Sequence, residues 1–164
     1  MKKIGEVSNR SFDGGCCVFC DSELQFGGWD AYQEDIVDET VQLEIDGQRA
    51  CLSGGGEGQT LHVFEGDDAW YATAPEDGGV ASDQIDTPVS ASSDIGIIDV
   101  PSGTLTIALA YPPLNMKTDG DFADVEHREG ELLHIPCVHK QLVVSMQHTS
   151  SGWRLRVGPA RSEG

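Results

Sequence analysis

Val41-Gln-Leu-Glu-Ile45, Asp46-Gly47 and Gln48-Arg-Ala-Cys-Leu-Ser53 form the stretch that decides the fold class. Apolar and polar residues alternate on both sides of an Asp-Gly pair. Alternation is the period of half-buried strands, and Asp-Gly accepts the positive φ angles of a type I′ turn, so the stretch predicts a β-hairpin. Working outward, Thr60-Leu-His-Val-Phe-Glu65 and Ala69-Trp-Tyr-Ala-Thr-Ala74 read as a second hairpin across Gly66-Asp67-Asp68. Residues 40–74 are therefore expected to form a four-stranded meander.

The same period recurs toward the C-terminus. Ile95–Val100 and Thr104–Tyr111 flank Pro101-Ser102-Gly103, where proline is acceptable in the turn. Leu132–Ile135, Gln141–Gln147 and Trp153–Val157 add three strands, the last alternating Trp153, Leu155 and Val157 with Arg154 and Arg156. Residues 75–93 are rich in Ser, Asp, Gly and Thr and read as a long loop with a short strand near Ile85 to Val89. Asp30–Glu39 is the only helical stretch, with Asp30 as its N-cap. The expected fold is all-β: an antiparallel β-sandwich of about ten short strands with little or no helix. The 164 residues fit a single domain, 1–164, with an acidic surface loop at 117–130 and a flexible C-terminal tail at 158–164. A chain of this length buries enough surface to fold without disulfides or a metal.

Charge is unevenly placed along that pattern. The chain carries 28 Asp and Glu against 10 Lys and Arg, a net charge of −18. Residues 1–10 are at +2, residues 117–164 are at −1, and residues 11–116 carry 20 acidic side chains against Arg49 alone, a balance of −19. From Ala50 to Met116 there is no Lys or Arg. Such a body repels phosphate backbones and anionic lipid, which argues against nucleic acid or a membrane as partner. Two uses of the charge remain: solubility, or a surface built to meet a basic protein. Lys2-Lys3 is followed by no apolar segment of a signal peptide, so a cytoplasmic location is expected. Five cysteines, with Cys16, Cys17 and Cys20 crowded together, fit reduced thiols better than paired disulfides.

Few residues suggest chemistry. Cys17 and Cys20, with Cys137 and His139, offer the sulfur and imidazole donors of a zinc tetrahedron, but the second half has the spacing C-x-H and strand residues 17 and 20 point to opposite faces. A reduced Cys packs equally well as a small hydrophobe, and Cys16, Val18 and Cys20 are expected to share one face of a core strand. No nucleophile elbow accompanies the Cys or the five His residues. Ser53–Gly58 lacks the Lys of a phosphate-binding loop and carries Glu57, and Asp119–Asp124 departs from the EF-hand pattern at Ala123. No cofactor and no catalytic residue are expected. The paired carboxylates on predicted loops, by contrast, match the charge of a polyanion that a nuclease groove binds. The residues expected to meet a basic partner are Asp30, Glu34, Asp35, Asp38, Glu39, Glu57, Asp67, Asp68, Glu76 and Asp77, with Trp70 as an aromatic anchor.

The run Asp86-Thr-Pro-Val-Ser-Ala-Ser-Ser-Asp-Ile-Gly-Ile-Ile-Asp-Val-Pro-Ser-Gly-Thr-Leu-Thr-Ile107, with Cys20-Asp21 and Trp29 upstream, resembles the competence protein J family, inhibitors of a bacterial DNA-entry nuclease. The likeness spans residues 14–111 loosely and leaves 117–164 without a counterpart. It implies a β-sandwich and nuclease inhibition, and small acidic bacterial immunity proteins against toxins are similar in size and charge. The leading expectation is thus an acidic inhibitor or immunity-type protein that blocks a nuclease or toxin. The alternatives are a small-molecule or zinc-binding sandwich using the Cys/His set, and an accessory domain whose acidity serves solubility only.

Overall fold

The computed structural model describes residues 1–8, 16–24, 40–45, 47–53, 60–73, 85–110, 132–150 and 152–159. Among them eleven strands form two antiparallel sheets. One sheet has six strands in the order β1 (Lys2–Ser8), β5 (Thr60–Glu65), β6 (Trp70–Thr73), β11 (Gly152–Gly158), β10 (Gln141–Thr149) and β7 (Val89–Asp99). The other has five, in the order β3 (Thr40–Ile45), β4 (Gln48–Ser53), β2 (Cys16–Asp21), β8 (Thr104–Ala110) and β9 (Leu132–Pro136). The all-β expectation holds, and the Asp-Gly hairpin forms as read: Ile45 faces Gln48 across a two-residue connection, and Gly47 takes φ +80°.

The meander expected over 40–74 does not form. β3 and β4 belong to the five-stranded sheet, whereas β5 and β6 belong to the six-stranded one. Each hairpin is correct locally, but sheet membership follows from the partner on its other flank: β4 pairs β2 through Cys17, Val18 and Phe19, and β5 pairs β1 along Lys2–Ser8. A second correction concerns Ser90–Ser93, expected in a loop. These residues are the first half of the eleven-residue β7, held extended by the nine-residue β10 despite their modest strand preference. β11 likewise takes in Gly158, which is buried at the start of the stretch expected as a tail. The Asp30–Glu39 helix, the 117–130 loop and the 160–164 end lie outside the described residues.

Alternation explains how both sheets feed one core. Val7, Leu61, Val63, Ala72, Ile98, Leu142, Val144, Leu155 and Val157 from the six-stranded sheet meet Phe19, Cys51, Leu105, Ile107 and Ile135 from the five-stranded one. Burying each large aliphatic or aromatic side chain contributes about 1.5–3 kcal/mol, so this cluster is the main source of stability. Phe19 reaches the cluster, and its strand neighbours Val18 and Cys20 are fully buried on the opposite face. Val18 and Cys20 thus share one buried face of an interior strand, as expected, the face opposite Phe19.

Polar contacts pin the sheets together at two places. Arg49 on β4 grips Asp99 on β7 through Nε (3.0 Å) and Nη2 (2.9 Å), while its backbone N–H donates to the same carboxylate at 2.8 Å. Beside this clamp the Gln42 amide pairs with the backbone of Ile97, Nε2 donating to the carbonyl (2.5 Å) and Oε1 accepting from the N–H (3.1 Å). A side chain of β3 thus supplies the hydrogen bonds that a neighbouring strand would supply to the edge of β7. The turn over Pro101–Gly103 carries the chain from β7 in the six-stranded sheet to β8 in the five-stranded one, and beside it buried Asp21 accepts from the backbone N–H of Glu23 (2.8 Å) and of Ser102 (2.9 Å), locking the end of β2 to that connection.

Candidate functional site: an acidic surface with inward-turned arginines

The described acidic positions begin with the β5–β6 turn. Gly66 N–H donates to Ala69 carbonyl at 2.8 Å, closing the turn and leaving Asp67 and Asp68 exposed at its tip. Trp70 follows immediately. It packs partly buried against the core, with its indole N–H buried. Asp68 reaches Nη2 of Arg156 at 3.2 Å; the carboxylate side chain is 64% exposed and the guanidinium side chain 3%. Of the eleven positions expected to contact a partner, Asp67, Asp68 and Trp70 are described; Asp30, Glu34, Asp35, Asp38, Glu39, Glu57, Glu76 and Asp77 lie outside the described residues.

The arginines show a common arrangement. β11 places Leu155 and Val157 in the core and turns Arg154 and Arg156 to the other face of the six-stranded sheet, where both are nonetheless buried. Arg154 lies over the Tyr71 ring, 5.0 Å from its centroid, donates from Nε to Gln147 Oε1 at 2.8 Å, and reaches the Ile85 carbonyl through Nη1. Phe64, Ala69, Tyr71 and Ile85 form a small apolar cluster around it. Arg156 bonds Asp68 and the Pro159 carbonyl. With half-exposed Arg49 held by Asp99, each described arginine has a partner within the fold. Glu23, Glu44, Glu65, Asp67, Asp68, Asp86 and Asp94 are exposed, against Lys2, Lys3 and Lys140 among the exposed cations described. These carboxylates occur on both sheets, at β3, at the β5–β6 turn and along β7.

The thiol chemistry takes a different form from a reactive or metal-binding cluster. Cys20, Cys51 and Cys137 are free and buried. Burial, with help from the neighbouring Asp21 charge, raises the Cys20 thiol well above its ordinary value, and burial alone pushes Cys51 up to about 12. The Cys137 thiol is also raised by burial and donates to the His139 carbonyl at 3.2 Å, while the His139 side chain is exposed. Among the described residues no three His, Cys, Asp or Glu side chains come together as metal ligands; the Cys17 side chain lies outside them. One cross-strand row does hold Cys20, Thr106 and His134, with Thr106 Oγ1 and His134 Nδ1 2.8 Å apart. Its thiol is neutral and enclosed, a poor nucleophile.

What reading the residues one by one did not reveal is the set of structural polar groups: Gln42, Arg49 and Asp99 between the sheets, and Asp21 beneath the turn. Arg49 carried a signal, since a single cation in a long anionic stretch is surrounded by carboxylates that favour pairing. No helix of the described residues is long and apolar enough to cross a membrane. No protein-family model, curated protein or solved structure matches the chain.

Proposed function

We propose that this protein is an acidic inhibitor of the immunity or nuclease-inhibitor type, binding and blocking a basic protein partner by charge and shape. The observation that carries the reading is the combination of the −19 block at residues 11–116 with the burial of Arg154 and Arg156 and the pairing of Arg49 to Asp99. A coat serving solubility alone gains nothing from burying cations, whereas a surface meant for a cationic groove presents a stronger field when its guanidinium groups are withdrawn. Complementary fields raise association rates and select partners by sign. The β5–β6 hairpin presents the Asp67-Asp68 pair at its exposed tip.

The test is affinity capture from the native host with the full chain, followed by activity assays of the captured protein. The expected partner is basic, its nuclease or toxin activity falls as this protein is added, and the complex weakens steeply as salt shortens the screening length from about 10 Å at 0.1 M to about 3 Å at 1 M. Capture of no basic protein, or of one whose affinity is independent of salt, refutes the proposal.

A further inference from the structure

The edge of β7 changes character along its length. Over Ile97–Asp99 it is closed by the Gln42 amide and by the Arg49–Asp99 pair. Over Val89–Asp94 every residue is exposed, and among the described residues no strand lies on the side away from β10. Register shifts set off the middle of this half: Ala91, Ser92, Ser93 and Asp94 face His148, Gln147, Met146 and Ser145 in unbroken succession. Open strand edges are ordinarily guarded by Lys, by Pro within the strand, by β-bulges or by covering segments, and here the bulged residues, Ser90 and Ile95, lie on either side of an unbroken run. Here the four residues are Ala, Ser, Ser and Asp, so small side chains leave the backbone accessible, and the one charge is negative.

We infer that Ala91–Asp94 is a strand-addition site that takes an extended, Lys- or Arg-bearing segment of the partner protein. The inference rests on the basic-partner reading and specifies where and how that partner docks. The edge already shows the pairing it accepts: at Ile97 an amide group satisfies both the N–H and the C=O of one residue. Ile97 therefore faces away from β10, and counting back past the extra residue Ile95 makes Ser92 and Asp94 the residues whose backbone groups face outward. Backbone pairing of this kind supplies affinity, and alternate side chains supply specificity. Charge selects the occupant. A second copy of this chain would set one body of net −18 against another and bring Asp94 near its own equivalent, while a segment with cations at alternate positions meets Asp94 and the surrounding field favourably.

A labelled peptide of alternating Lys and Val, and the same peptide N-methylated at alternate amides, carry equal charge but differ in strand pairing. With the full-length protein at low salt, the unmethylated peptide is expected to bind at least about tenfold more tightly. Ser92→Pro removes an outward N–H, a position where proline is tolerated on an edge, and should abolish that preference; Ser92→Ala, which keeps the N–H, should retain it. Urea unfolding of each variant checks that the fold is intact. Equal binding of both peptides, or a preference unchanged by Ser92→Pro, overturns strand addition and leaves charge-driven association standing. No binding of either peptide overturns both readings. A concentration-dependent dimer that is lost in Ser92→Pro, with no preference between peptides, assigns the edge to a second copy and overturns the proposed occupant.

Discussion

Replacing Asp21 by Ala removes a buried carboxylate, and its cost follows from two bonds. The side chain is inside the fold, the residue being 1% exposed, and accepts from Glu23 N–H at 2.8 Å and from Ser102 N–H at 2.9 Å. Hydrogen bonds to a charged group contribute about 1.5–3 kcal/mol each. Ser102 and Glu23 lie at an exposed turn, so water can reach part of what is freed, and the net loss is set near the lower sum, about 3 kcal/mol. With a urea m-value of about 2 kcal/mol/M, the unfolding midpoint should fall by about 1.5 M. Asp21→Asn keeps one acceptor oxygen but turns an NH2 toward the other N–H, so it should also destabilise, by about half as much. Equilibrium urea unfolding followed by tryptophan fluorescence reads all three proteins. An Asp21→Ala midpoint within about 0.3 M of the parent would refute the assignment of this carboxylate as the lock between β2 and the β7–β8 turn.

The Arg49–Asp99 clamp predicts acid sensitivity. The side-chain bond to Arg49 is the largest of the influences that hold the Asp99 carboxyl below its ordinary value of 3.8, and burial opposes it. A depressed carboxylate stabilises the fold above that value and loses its contribution as pH falls through the folded pKa, so Arg49→Gln should flatten the decline of the urea midpoint below about pH 4. Gly96→Ala places a methyl 2.9 Å from Cys51 Sγ in the core, which should destabilise by about 1–3 kcal/mol. Adding Cys51→Ala should restore part of that loss, a coupling that a double-mutant cycle of denaturation midpoints measures directly. Alkylation of the native protein at pH 8 should leave Cys20 and Cys51 unmodified, because both thiols are buried and raised, and mass mapping should find them labelled only after unfolding.

Strand existence was legible wherever pattern and turn chemistry agreed. Alternation around Asp46-Gly47 set both the hairpin and its register, and Thr60–Glu65 appears with the bounds the residues suggest. Sheet membership was not legible, because β4 and β5 are neighbours in sequence yet pair with β2 and β1. That choice depends on long-range partners that no local period encodes. Ser90–Ser93 differs for a related reason: its composition reads as loop, and only the template offered by β10 makes it a strand. At the candidate site, the excess of carboxylates was plain, as was the alternation of Arg154 and Arg156 with the core residues of β11. Their burial was not, since alternation assigns a side chain to a face without saying what covers that face. Trp70 shows how position and packing combine: it lies beside exposed carboxylates and packs part of its surface against the core.

The Gln42 amide at Ile97 gives the molecule a built-in reporter. An amide proton at the rim of a sheet ordinarily exchanges with solvent almost at once, because nothing shields it. At Ile97 the proton is held by a side chain rooted in the other sheet. Its exchange clock therefore runs on release of the Gln42 amide, so one slowed amide would record how often this contact between β3 and β7 opens.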